Sequence, residues 1–144
     1  KDFINLLENT NMSKVYKMPV LMAFYNHGNV RMKVSEAELL ESWKEFFSTG
    51  TNWKDLEKEI TYEEYRKISD KNHIQKIMKM PVYFLLKSGE EFFVKKDGAA
   101  LALRDEMEEI VKEPVLAEQM KDVIEYRAID YYRRRYEEKI KALL

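Results

Sequence analysis

KMPVLMAFYNHGNVRMKVSEAELLESW, residues Lys17–Trp43, opens with four residues that return at Lys79–Val82 in KMPVYFLLKSGEEFFVKKDG, residues Lys79–Gly98. The reading of this repeat decides the fold. In each copy the proline precedes a short apolar stretch closed by a glycine, Gly28 or Gly89. Proline suits the first helical position, where no N–H is needed, and glycine supplies the left-handed residue that ends a helix. Each copy is therefore expected to open with a short buried helix. NVRMKVS (Asn29–Ser35) and EFFVKKD (Glu91–Asp97) follow, rich in Val, Met and Phe, and read as strands. Ser35 and Asp97 stand where an N-cap belongs. Beyond them, Leu39, Trp43, Phe46 and Phe47 in one copy and Leu103, Met107, Ile110 and Val111 in the other recur at i, i+4, i+7, i+8, one face of a helix.

The expected fold is mainly α with a small antiparallel β element. Two helix–strand–helix units, about 17–48 and 79–112, bring their strands together around a pseudo-twofold axis. DFINLLENTN (Asp2–Asn11) reads as an N-terminal helix, TYEEYRKIS carries Thr61 and Glu64 at capping-box spacing, and HIQKIMK reads as a helix leading into the second copy. Pro114 breaks the preceding pattern, and from Val115 to about Lys141 there is neither Pro nor Gly. That span is expected to form one long helix, with Leu116, Met120, Val123 and Ile124 in one stripe and Ile129, Tyr132, Tyr136, Ile140 and Leu143 continuing at helical spacing.

Of the 144 residues 45% are hydrophobic and 12% aromatic, enough for a core in a single domain spanning 1–144. The net charge is −1, so the chain as a whole exerts no long-range pull on nucleic acid. Charge is nonetheless segregated: positive in 1–34, negative in 35–66, positive in 67–96 and negative in 97–112. With no Cys, disulfides and thiolate metal sites are excluded, which favours a cytoplasmic setting. No apolar run reaches the length of a membrane span, so no membrane partner is expected. The chain opens on Lys rather than Met, which predicts a piece of a larger protein.

Catalytic machinery is hard to find. No phosphate-binding glycine loop, no zinc-type histidine spacing and no cysteine nucleophile occurs, and the histidines are His27 and His73 alone. No catalytic residue, metal ligand or cofactor is assigned. Glu90, Glu91, Lys95 and Lys96 in GEEFFVKKD leave a metal-dependent nuclease as the last-ranked alternative.

The residues that suit a nucleic acid are basic. In YYRRRYEEK, Arg133, Arg134 and Arg135 stand between Tyr132 and Tyr136. Guanidinium forks fit phosphate oxygens and tyrosines stack on bases. Consecutive helical residues fan out by about 100°, so the three arginines do not face one way, and Asp130, Glu137 and Glu138 are placed to pair with them instead. Lys17 and Lys79 precede the prolines, and Lys33 and Lys95 sit on or beside the strands. Asn26 and His27 offer hydrogen-bond donors from a polar turn. Together Lys17, Asn26, His27, Lys33, Lys79, Lys95 and Arg133–Arg135 form the candidate nucleic-acid set.

The run YKMPVLMAFYNHGNVRMKVSEAELLESWKEFFSTGTN, then KMPVYFLLKSGEEFFVKKDG, then KDVIEYRAIDYYRRRY resembles the C-terminal region of bacterial DEAD/DEAH-type helicases of superfamily II, some of them tied to restriction or phage defence. The resemblance covers nearly all of residues 12–136. It implies a non-catalytic accessory domain that helps a parent ATP-dependent helicase engage DNA or RNA, with ATP and Mg²⁺ confined to upstream motor domains. It carries over no site residue. The alternative is a protein-docking module that seats on those motor domains or on a partner subunit. In that case the acidic stretches Glu36–Glu45 and Glu106–Glu109 matter more than the lysines. The oligomeric state is left open.

Overall fold

The computed structural model describes residues 2–12 and 14–143. In chain order it forms α1 (Asp2–Asn9), α2 (Lys17–Met22), β1 (Tyr25–Asn26), β2 (Asn29–Val30), β3 (Lys33–Val34) and α3 (Glu36–Ser48). A 3-10 turn (Asn52–Asp55), α4 (Tyr62–Arg66) and α5 (Asp70–Ile77) follow. α5 runs through a π-helical turn (Met78–Val82) into α6 (Tyr83–Ser88). Next come β4 (Phe93–Val94), β5 (Leu101–Leu103), two 3-10 turns (Asp105–Met107 and Ile110–Lys112) and α7 (Pro114–Leu143). The expected class, mainly α with a small antiparallel β element and a long C-terminal helix, is the class observed.

Several helix starts follow the sequence chemistry. Ser35 Oγ accepts the Glu38 N–H (3.1 Å) while Glu38 Oε1 accepts the Ser35 N–H (2.9 Å), a reciprocal capping box. Thr61 and Glu64 repeat it at α4 (3.1 and 3.0 Å). The core gathers the large apolar side chains of several elements. Trp43 and Phe47 lie 4.7 Å apart by ring centroid, and Phe24 meets Phe93 edge-on at 5.7 Å. α7 lies across α1 and α2 and buries Leu116, Met120 and Ile124 there.

The repeated KMPV does not produce a repeated structure. Pro19 is the third residue of α2, whereas Pro81 sits inside the π-helical turn, in the middle of a continuous helical run. An interior proline lacks the N–H for the ladder and its ring crowds the carbonyl four residues back; the widened turn accommodates it. The glycines differ as well. Gly28 does not end a helix, since α2 stops at Met22. With His27 (φ 49°) and Gly28 (φ 87°) both left-handed, the pair makes the two-residue turn of the β1–β2 hairpin. Gly89 does cap α6, but at φ −111°, not in the left-handed region. Its missing Cβ matters for space: a Cβ there would lie 2.8 Å from the Leu85 carbonyl oxygen and 3.0 Å from the Phe93 ring.

The second unit also departs from expectation after its strand. Asp97 does not cap a helix; it precedes Gly98, whose φ of 79° turns the chain back. Leu101–Leu103, all buried, form β5, and the residues to Lys112 make only the two 3-10 turns. The two expected strands consequently do not pair with each other. β5 lies between them in the order β3-β5-β4, with Lys33 opposite Ala102 and Ala102 opposite Val94.

Candidate functional site

α7 is anchored at its middle by a buried polar hub. The Tyr131 hydroxyl donates to both carboxylate oxygens of Asp55 (2.9 Å each), and Arg135 Nη2 donates to Asp55 Oδ1 (3.1 Å). Asp55 is buried at the end of its 3-10 turn. Beside it the Tyr16 hydroxyl donates to the Leu56 carbonyl (2.6 Å), which also accepts from Lys76 Nζ (2.8 Å). Burial raises the Tyr16 phenol to about 12, helped by the Asp55 charge. Burial, the hydrogen bond to Asp55 and its charge hold Tyr131 above the usual tyrosine range. Tyr132 is raised too, chiefly by burial, and its hydroxyl is buried without a hydrogen-bond partner among the described residues. One turn earlier on α7, Arg127 Nη1 donates to the carbonyls of Thr10 (2.7 Å) and Leu7 (3.2 Å), closing the end of α1 onto it.

The hub determines the fate of the arginine triplet. Arg135 faces the body and meets Asp55, Arg133 pairs with Asp130 (2.7 Å) and Glu137 (3.3 Å), and Arg134 pairs with Asp130 (3.0 Å). The Arg133 hydrogen bond is the main reason the Asp130 carboxyl sits below its ordinary value. All three guanidinium groups are thus engaged with carboxylates of the same chain, the second of the two arrangements the spacing permits.

The other candidates are scattered. Lys17 is buried; its ammonium donates to Asn11 O (2.7 Å) and Thr10 Oγ1 (3.0 Å), and burial followed by the nearby Arg127 charge lowers its pKa. It does not reach a phosphate, because an apolar-core position has turned its charge inward. Asn26 and His27 lie in the β1–β2 hairpin and border a cleft of about 420 Å³. Its walls carry Glu38, Glu41, Glu45 and Glu125 against Arg31 and Lys121, a balance that repels phosphate. Lys33, Lys79 and Lys95 are exposed, on β3, on the π-helical turn and just past β4. Lys96 pairs with Asp105. Of the acidic stretches, Glu36–Glu45 occupies α3, while Glu106–Glu109 falls in and between the 3-10 turns.

The remaining feature is apolar. Tyr126 (66% exposed), Ile129 (69%), Tyr136 (66%), Ile140 (39%) and Leu143 (86%) stand in water along α7. They lie roughly 180° around the helix from Leu116, Met120 and Ile124, taking about 100° per residue. From Arg133 onward every described residue of α7 is exposed, and past the Arg135–Asp55 bond none of them hydrogen-bonds to the body. Among the described residues no three His, Asp or Glu side chains are grouped to hold a metal ion, and no helix is long and apolar enough to cross a membrane.

Comparison with protein-family models, curated proteins and solved structures finds no match to this chain.

Proposed function

We propose that this domain is a non-catalytic protein-docking module that presents the projecting half of α7 as its contact element. The exposed stripe of that helix carries the reading. Five large apolar side chains on the face turned away from the core lower the solubility of a free domain and contribute nothing to its packing. The resemblance to superfamily II helicases supplies a context for it, an accessory domain carried beside ATP-dependent motor domains, with those motors or a partner subunit as the surface engaged.

Nucleic-acid binding is the second reading. Exposed Lys33, Lys79 and Lys95, which have no ion-pair partner among the described residues, favour it. Against it stand the internal pairing of Arg133–Arg135, the burial of Lys17 and the carboxylates around Asn26 and His27. Fluorescence anisotropy with labelled duplex and single-stranded DNA and RNA at two salt concentrations separates the two. The docking reading expects no saturable binding near physiological salt. Saturable binding that weakens steeply with salt and is lost on replacing the three lysines by Ala would replace it with the second.

A further inference from the structure

The exposed residues of α7 follow a closer rule than amphipathicity. Tyr126, Ile129, Arg133, Tyr136, Ile140 and Leu143 are separated by 3, 4, 3, 4 and 3 residues, the a/d spacing of a left-handed coiled coil. The seam they form is unpaired, lies opposite the core-facing side, and runs onto a stretch that nothing else in the domain covers. Resting on the docking reading, we propose that its occupant is a second copy of the same helix, aligned antiparallel.

Self-complementarity argues for this partner. In an antiparallel pair each a position faces a d position of the other helix. Laying the seam against its own reverse puts Tyr126 opposite Leu143, Ile129 opposite Ile140 and Arg133 opposite Tyr136, so all six positions find a partner and none is left over. The one charged seam residue meets an aromatic face, a favourable cation–π arrangement. Charge points the same way. Asp130 and Glu137 then approach across the centre of the pair, and each is already bonded to its own chain's Arg133, with Arg134 also on Asp130. Two arginines and two carboxylates from each copy meet there without net charge. A parallel pair would set Arg133 against Arg133 in the seam and Glu125 against Asp130 along its flank.

The folded body lowers the cost of ordering. A helix as short as residues 126–143 is marginal alone, but this one is nucleated by the buried turns around Leu116–Ile124 and held by the Tyr131–Asp55 bond. With the pair centred between Arg134 and Arg135, the two bodies lie at opposite ends, and each helix tip reaches the exposed Tyr126 side of the other copy.

The test uses light scattering over a concentration series, then cross-linking. The wild-type chain is expected to approach twice its 17.3 kDa mass as concentration rises, and Ile129→Ser/Ile140→Ser to stay monomeric with an unchanged circular dichroism spectrum. Because the chain has no Cys, introduced thiols report without background. Ile129→Cys/Ile140→Cys should form intermolecular disulfides on mild oxidation. Either single variant should not, since identical positions in the antiparallel pair lie about 16 Å apart along the axis, beyond disulfide reach. Efficient dimers from the single variants would mean a parallel pair and overturn the proposal. A wild-type chain that stays monomeric would also overturn it, while the docking reading falls separately, by the nucleic-acid anisotropy result.

Discussion

The Tyr131 hydroxyl bonds both oxygens of the Asp55 carboxylate at 2.9 Å, joining the middle of α7 to a 3-10 turn 76 residues earlier in the chain. Its neighbour Tyr132 is half-buried, yet its hydroxyl oxygen is buried and has no partner among the described residues. The two phenols therefore call for opposite outcomes on removing one oxygen. Tyr131→Phe takes a donor from a buried carboxylate and is expected to cost about 2 kcal/mol. Tyr132→Phe removes a desolvated hydroxyl that gains nothing, and is expected to be neutral or to stabilise by about 1 kcal/mol. Urea midpoints of both variants decide it; equal losses would contradict the hub.

The same hub sets behaviour in alkali. Tyr16 rises to about 12, and Tyr131 and Tyr132 are raised further, against roughly 10 for an unfolded tyrosine. A folded-state pKa above the unfolded one means that the stabilisation is complete below about pH 10 and is lost as pH rises through the folded values. Ultraviolet titration of the nine tyrosines should show three that ionise only together with the unfolding transition. Smooth titration of all nine before unfolding would refute this.

His73 gives the acid counterpart. Its Nδ1 accepts the Trp43 indole N–H (3.1 Å), which requires an unprotonated Nδ1, and burial lowers its pKa, with Lys44 and Lys76 adding to the shift and Asp70 opposing it. The unfolded chain thus takes up the proton first. Stability from this residue is present above about pH 6.5 and falls as pH drops through the folded value. Denaturation midpoints followed from pH 7 downward should decline more steeply in the wild type than in His73→Gln.

Gly89 is held by crowding rather than by backbone angle. Its φ of −111° is open to any residue, but a Cβ would lie 2.8 Å from the Leu85 carbonyl oxygen. Gly89→Ala is expected to cost about 1–3 kcal/mol, as overpacking does, and to loosen the contact between α6 and β4. Thermal unfolding with hydrogen exchange at Phe93 checks both parts.

What was legible in the sequence was what local chemistry controls. Ser35 and Thr61 announced their helices because a capping box needs only four residues to specify it. The KMPV repeat misled because the two prolines satisfy their missing N–H differently, one near a helix start and one by widening a helix. β5 is hidden because Leu103, Met107, Ile110 and Val111 happen to keep helical spacing, whereas the left-handed turn at Gly98 and two flanking strands pull the first of them into the sheet. In α7 a single stripe was expected. Taking about 100° per residue, Ile124 and Ile140 point roughly 160° apart, so the apolar residues belong to two faces. Asp55 gave no signal at all: in NWKDLEKE it reads as one charge among several, and only the fold brings Tyr131 and Arg135 to it.

The position of β5 has a consequence for how the chain comes together during its synthesis. The middle strand of the three-stranded sheet is the last to be made. Until Leu103 has left the ribosome, β3 and β4 have no edge to bond, and until Tyr131 follows, Asp55 waits for its donor. Closure over such sequence distances is slow for topological reasons. A nascent chain halted after α6 should stay open to protease, and protection should arrive in one late step rather than by instalments.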